Sequence, residues 1–134
     1  MGIRLGKLFE NICVFDKKNN IVFERINDQM FCSEFFGQVL AAFEGLTKHI
    51  SDGELSNIEW GDTLITIKKR EDLIFLGCTD PDAKESKVNE ELDLICNRFF
   101  DIYPIVLIED FDGDRSIFTN SEQRFLSEIK HLID

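Results

Sequence analysis

The sequence predicts an α+β domain in which a five-stranded antiparallel sheet packs against amphipathic helices. Three observations lead to this fold class. Five short apolar runs occur as a pair and then as a group of three, polar turns separate the members of each group, and three stretches repeat apolar residues at helical spacing. The predicted element order is ββαβββαα, and 134 residues suffice for a single domain, residues 1–134, with its own core.

The first two strands are predicted over residues 8–15 and 21–26. The first, LFENICVF, ends in a continuous apolar run, which is typical of a central strand covered on both faces. The polar residues between them, DKKNN, are expected to form the turn of a hairpin that leads into the second strand, IVFERI.

The most regular helical pattern lies over residues 31–50, FCSEFFGQVLAAFEGLTKHI. At ~100° per residue its large apolar side chains fall in one arc of about 140°, which is expected to lie on the sheet. On the opposite side, Gly37, Ala41 and Gly45 follow one another at intervals of four. A glycine costs a helix interior about 1 kcal/mol relative to alanine, so either another backbone approaches this side closely or burial of the helix tolerates them.

A three-strand meander is predicted next, over residues 55–60, 63–68 and 73–79. The first turn of the meander is Gly61-Asp62, and the second is a charged tip at residues 69–72. This group completes the five strands.

Two helices are predicted in the last part of the chain. The first is expected to begin at Asp80-Pro81, with Asp80 as the N-terminal cap, and to end at Pro104. Residues 105–108 are apolar but of undetermined type, and residues 109–115 read as a loop. Asn120 and Gln123 resemble a capping box at the start of the last helix.

Composition excludes several classes of function. The formal charge is −11, with 26 acidic and 15 basic residues, which argues against binding to nucleic acid or to an anionic membrane surface. Residues 80–134 alone carry fourteen acidic and six basic side chains, a field that could steer a basic partner.

The cysteines and the apolar runs bear on location. The four cysteines form no C-x-x-C pair, and the first residues lack the apolar stretch of a secretory signal, so buried thiols in a reducing cytoplasm are expected. No apolar run approaches the ~20 residues needed to span a bilayer.

The sequence carries no recognisable catalytic residue and no cofactor motif, because phosphate-binding glycine loops and the serine-elbow pattern are both missing. Asp110, Asp112 and Asp114 have the spacing of the first ligands of an EF-hand loop. However, Arg115 stands where that loop needs glycine and Ser121 where it needs glutamate. An acidic turn that holds the last helix in place is therefore the favoured interpretation over a metal site.

Taken together, the element order, the segment GELSNIEWGDTLITIKKREDLIFLGCTD and a following helix that ends in FFDIYP resemble the longin domain. The tail, DFDGDRSIF and an amphipathic helix, is similar to the C-terminal portion of stand-alone archaeal longin-type proteins. The resemblance implies a three-layer fold related to the roadblock and profilin-like group, with one helix on one face of the sheet and two on the other.

The resemblance also implies a function. Longin domains are non-enzymatic protein–protein interaction modules in vesicle-trafficking assemblies and in complexes that regulate Ras-like small GTPases, where paired longin or roadblock folds form a platform. The chain ends at Asp134 without the heptad segment or membrane anchor of a SNARE. It is therefore expected to act in the cytoplasm as a homodimer or heterodimer with another longin or roadblock-type subunit, a Ras-like GTPase, or both.

The docking surface is predicted on the small-residue side of the helix over residues 31–50 and on the neighbouring second strand. Its residues are Gly37, Gln38, Ala41, Gly45, Lys48, Phe23 and Arg25. The alternative function is a small-ligand sensor of PAS or profilin-like type, because a sheet with a Phe-rich interior could open a pocket, although packing explains the thirteen phenylalanines equally well.

Overall fold

The computed structural model describes residues 8–16, 18, 20–26, 55–60 and 63–133. Its five strands are β1 (Asn11–Phe15), β2 (Ile21–Ile26), β3 (Leu55–Trp60), β4 (Thr63–Arg70) and β5 (Leu73–Thr79). They form one sheet in the order β2-β1-β5-β4-β3, in which every neighbouring pair is antiparallel. The predicted five-stranded antiparallel sheet and the α+β class are confirmed.

Two of the three inner strands, β1 and β5, are buried at every position. A strand covered on both faces carries apolar residues without alternation, which is why NICVF and LIFLGCT are almost continuously apolar. The pairing of β1 with β2 shifts between Val14 and Phe15: Val14 lies opposite Phe23, whereas Phe15 lies opposite Ile21. This bulge inserts Val22 as an extra residue in β2.

One face of the sheet packs against the helices α1 (Glu85–Ile102) and α3 (Thr119–Ile133). Ile12 and Val14 of β1 and Phe75 of β5 belong to this core. The aromatic rings pack mostly edge to face, and Phe99 and Tyr103 stack with ring centroids 4.2 Å apart. Eight described aromatic side chains from the sheet, α1 and the C-terminal segment make up this cluster: Phe23, Phe75, Phe99, Phe100, Tyr103, Phe111, Phe118 and Phe125. Most of the described core volume therefore lies on this face.

The other face of the sheet carries a second apolar cluster, in which no side chain of the described helices takes part. Its buried members are Cys13, Phe15, Ile65, Ile67, Ile74, Leu76 and Cys78. The helix predicted over residues 31–50 lies outside the described residues. Cys13, Cys78 and Cys96 are buried thiols, as the sequence predicts, and Cys32 lies outside the described part.

The start of the first C-terminal helix was predicted wrongly. The helix α1 begins at Glu85 and not at Pro81. The Asp80 carboxylate accepts a hydrogen bond from the Asp82 N–H (2.9 Å), and the Ala83 N–H donates to the Asp80 carbonyl (3.0 Å), so this aspartate closes a turn instead of capping a helix. The predicted end at Pro104 is confirmed, because α1 stops at Ile102 and Tyr103 is its C-cap.

The chain after Pro104 forms a short helix, α2 (Ile105–Glu109), then a 3₁₀ turn at Arg115–Phe118 that runs directly into α3. The capping box at Asn120 was predicted wrongly, because α3 already begins at Thr119. Asp114 caps the 3₁₀ turn instead: its Oδ1 accepts hydrogen bonds from the Ser116 N–H (3.1 Å) and hydroxyl (2.7 Å). In the described residues, no helix has both the length and the apolar character needed to cross a membrane.

Candidate functional site

The predicted docking surface is only partly within the described residues. Gly37, Gln38, Ala41, Gly45 and Lys48 all lie outside them.

The two remaining residues of that surface lie on β2. Phe23 is fully buried, with its ring 4.9 Å from the ring of Phe125, so its side chain belongs to the core and offers no accessible surface. Arg25 is half-buried and lies opposite Ile12 of β1. In the described part of the sheet β2 pairs only with β1, so it forms one edge of that sheet.

The acidic segment Asp110–Asp114 is a connector built from local hydrogen bonds. The Asp112 carboxylate accepts a hydrogen bond from the Asp114 N–H (3.0 Å), and Gly113 adopts a φ of 103°, which favours glycine. Hydrogen bonds from the Ser116 hydroxyl and N–H lower the pKa of Asp114. Two carboxylates of the predicted cation loop thus serve the backbone of the turn, and the described residues contain no group of three or more His, Cys, Asp or Glu side chains that could hold a metal ion.

This connector also anchors the C-terminal segment. Phe111 is buried, and its ring lies 5.1 Å from that of Phe118, which is buried in the 3₁₀ turn. Arg115 donates a hydrogen bond to the Glu24 carboxylate of β2 (3.2 Å). The contacts support the interpretation of this segment as an acidic turn that fixes the last helix against the sheet.

Three basic residues, Lys68, Lys69 and Arg70, end strand β4, and two of them contact the helix α1. Lys68 is 6% exposed and forms an ion pair with Asp93 of α1. Arg70 donates a hydrogen bond to Asn97 of α1, and its guanidinium lies 5.6 Å from the centre of the Phe100 ring. These two cations therefore hold α1 on β4.

Further polar contacts join α1 to β4 and β3. The Thr66 hydroxyl donates to Asn57 (2.9 Å), whose amide donates to Glu85 at the start of α1 (3.1 Å). Burial raises the pKa of the Cys96 thiol of α1 to about 12, although the nearby charges of Lys68 and Arg70 lower it. A thiol that stays protonated at neutral pH is a poor nucleophile, so Cys96 acts here as a small core residue.

A groove that the sequence did not predict lies at one end of the sheet. Three segments distant in the chain form it: the turn after β1, the β4–β5 hairpin and α2 with the residues after it. The groove has a volume of about 160 Å³. Its described lining residues are Asp16, Lys18, Glu71, Asp72, Leu73, Ile105, Ile108, Glu109 and Phe111.

The groove combines an apolar floor with an acidic rim. Leu73, Ile108 and Phe111 are nearly buried and form the floor. Four of the lining residues are acidic, and Lys18 is the one basic residue among those described. The environment therefore suits a ligand that is apolar and carries positive charge.

The helix α2 presents apolar side chains to solvent beside this groove. Val106 is 74% exposed, Leu107 43% and Ile105 39%, whereas Ile108 points into the core and is 8% exposed. The sequence signal for this feature was the apolar run over residues 105–108, directly after Pro104, whose type the sequence left undetermined.

A comparison with models of protein families finds no match to this chain, and a comparison with curated proteins finds no significant match.

Proposed function

We propose that this protein is a non-enzymatic protein–protein interaction module of the longin type, a subunit of an assembly that regulates a small GTPase or vesicle traffic. The observation that carries the proposal is the sheet order β2-β1-β5-β4-β3, reached by an N-terminal hairpin and a later meander that α1, the short α2 and α3 follow. This arrangement agrees with the element order on which the longin resemblance depends.

The proposal includes a three-layer arrangement. α1 and α3 lie on one face of the sheet, while the opposite face carries seven buried side chains that no described helix contacts. A face of that composition is costly to leave in water. The apolar arc predicted over residues 31–50 has the composition to cover it, and this would place the Gly37, Ala41 and Gly45 side of that helix outward.

In this arrangement the partner would dock on Gly37, Ala41 and Gly45, with Gln38, Lys48 and the β2 edge near Arg25 at the border. Small residues allow a second backbone to approach closely. Phe23 is part of the core and is left out of this surface.

A pair of substitutions tests the proposal. Gly37→Leu combined with Gly45→Leu should leave the circular dichroism spectrum of the protein unchanged but abolish the dimer or complex in light scattering. Ser127→Leu with Lys130→Leu is the matched control, because both residues are exposed on α3 and the change adds the same two side chains elsewhere. An assembly that survives the glycine changes, or is lost equally in the control, would rule out this docking surface.

The alternative, a small-ligand sensor, gains no support from the described residues. Eight of the described aromatic side chains pack against one another with centroids between 4.2 and 5.8 Å apart, so core packing accounts for these eight. The groove of about 160 Å³ is smaller than the ~300 Å³ at which small-molecule pockets usually begin.

A further inference from the structure

We propose that the groove between α2, the β4–β5 hairpin and the turn after β1, here called the α2 groove, docks a segment of a partner protein that carries a large apolar side chain next to lysine or arginine. Three observations support this inference: the exposed apolar residues of α2, the acidic rim and the preformed floor.

The first observation is the concentration of exposed apolar surface. Ile105, Val106, Leu107 and Ile117 are the large apolar side chains exposed in the described part of the chain, and the first three are consecutive. Single exposed apolar residues are ordinary, but three together on a five-residue helix beside a groove are typical of an interaction site.

The second observation is the charge around the apolar surface. Glu71, Asp72 and Glu109 line the groove and are exposed. Asp16 also lines it but is nearly buried, and its carboxylate accepts hydrogen bonds from the Lys18 N–H (2.9 Å) and the Asn20 N–H (2.8 Å). With Lys18 as the single cation among the described lining residues, the rim is negative. An acidic or anionic partner would be repelled here, while lysine or arginine flanking an apolar side chain would be attracted.

The third observation is that the floor is already formed. The Leu107 and Ile108 N–H groups both donate to the Pro104 carbonyl (3.0 and 3.2 Å), and the Phe111 N–H donates to the Ile108 carbonyl (3.1 Å). A volume of about 160 Å³ is close to the ~150 Å³ cavity that holds one benzene molecule, so the groove accommodates one apolar side chain as an anchor. A preformed site avoids the ordering cost of binding.

This inference goes beyond the proposed dimerisation surface and does not depend on it. The described lining of the α2 groove consists of residues 16, 18, 71–73, 105, 108, 109 and 111, whereas the proposed dimer surface centres on residues 37–48. Peptide binding measured on the Gly37→Leu and Gly45→Leu double variant therefore separates failure of one proposal from failure of the other.

The test is selection of peptides from a display library of random 12-residue sequences on the immobilised full-length protein, followed by fluorescence anisotropy with the enriched peptides as synthetic probes. Enriched peptides should share a large apolar residue next to lysine or arginine. Val106→Ser with Leu107→Ser should weaken binding by at least about 10-fold, and Glu109→Lys by about 3- to 10-fold. Raising the salt concentration should also weaken binding, because exposed charges are screened.

Two control variants make the test specific. Ile117→Ser removes a comparably exposed apolar side chain of the 3₁₀ turn, outside both α2 and the groove lining, and Glu128→Lys makes the same charge change at an exposed position of α3. Both should bind the peptides within about 2-fold of the original protein. Failure to enrich any peptide, enrichment of acidic peptides, or equal losses in the controls would overturn the proposal. Loss of self-association in the Val106→Ser and Leu107→Ser variant would also overturn it, because the occupant would then be a second copy of the chain.

Discussion

Replacing Gly77 of β5 by alanine tests how the N-terminal segment packs on the sheet. Gly77 lies opposite Ile12 of β1 and Thr66 of β4, in the middle of the sheet. A Cβ added there would lie 2.7 Å from Cε1 and 2.9 Å from Cδ1 of the Phe9 ring, and 3.6 Å from Cδ1 of Leu92. Contacts between carbon atoms normally lie at about 3.5–4.0 Å, so the ring must move by roughly 0.8 Å.

Phe9 has little freedom to move. Its side chain is fully buried, and its N–H and that of Leu8 donate to the Leu132 carbonyl of α3 (3.0 and 2.8 Å). The Glu10 N–H donates to the Cys78 carbonyl (2.9 Å). These hydrogen bonds hold three consecutive backbone N–H groups, so the main chain at Phe9 is fixed and its ring can yield only by rotating within the surrounding core.

The expected magnitude follows from two opposing effects. Alanine is favoured over glycine in a strand by up to about 1 kcal/mol, whereas overpacking a core costs about 1–3 kcal/mol. Gly77→Ala should therefore lower the free energy of unfolding by about 1–2 kcal/mol. Urea unfolding followed by the fluorescence of the single tryptophan, Trp60, with circular dichroism alongside, measures this change at constant m-value.

A double-mutant cycle with Phe9→Leu supplies the control. The smaller side chain relieves the clash, so Gly77→Ala should cost at least about 1 kcal/mol less in the Phe9→Leu background than in the original protein. A Gly77→Ala change that stabilises the protein, or that has the same effect in both backgrounds, would refute the packing of Phe9 across β5.

Four further predictions concern stability. Glu71 and Asp72 both have positive φ (54° and 64°) in the two-residue turn between β4 and β5, a conformation that favours glycine at the second position. Asp72→Gly should therefore raise the free energy of unfolding by about 1 kcal/mol, whereas Asp72→Ala should lower it. A melting temperature that falls with glycine would contradict this account. Tyr103 is the single tyrosine, and burial raises its pKa above the ordinary ~10, so absorbance at 295 nm should show no phenolate until well above that pH. The free energy of unfolding should fall as the pH rises past ~10, because only the unfolded chain ionises there. A normal titration curve would show that the ring is accessible. The Tyr103 hydroxyl is buried and has no hydrogen-bond partner among the described residues, so Tyr103→Phe should leave the free energy of unfolding unchanged or raise it by up to about 1 kcal/mol. Lys68 is 6% exposed, while its partner Asp93 is half-exposed. Asp93→Asn should lower the free energy of unfolding by about 1 kcal/mol because it leaves a buried cation unpaired, whereas Lys68→Met should leave it unchanged or raise it. Equal losses in both variants would contradict this account of the pair.

The strands could be predicted from the sequence because their patterns are local. NICVF and LIFLGCT are apolar at nearly every position, and a sheet buries such runs at its centre whatever the tertiary details. The end of α1 could be predicted for the same reason, because proline at position 104 cannot continue a helix.

The sequence does not determine where the helices start or which side chains of β2 are exposed, because alternative local conformations compete at both places. The Asp80 carboxylate could cap a helix or close a turn, and both use the same short hydrogen bonds. On β2, the bulge opposite Val14 and Phe15 changes which residues face the helices, and it places Phe23 in the core against Phe125. Alternation in IVFERI alone carries no information about a bulge.

The α2 groove could not be predicted for a different reason. Asp16, Asp72 and Glu109 lie far apart in the chain, and only the order of the strands brings the turn after β1 and the β4–β5 hairpin to the same end of the sheet. Each acidic residue reads as an ordinary solvated turn residue in the sequence. Their proximity to the apolar face of α2 is a property of the tertiary structure.

Native mass spectrometry of the purified full-length protein tests most directly whether it acts by binding other proteins. The account predicts a dimer or a heteromeric complex whose mass is fully explained by polypeptide chains. A monomer that carries a stoichiometric small molecule would contradict it and favour the sensor function.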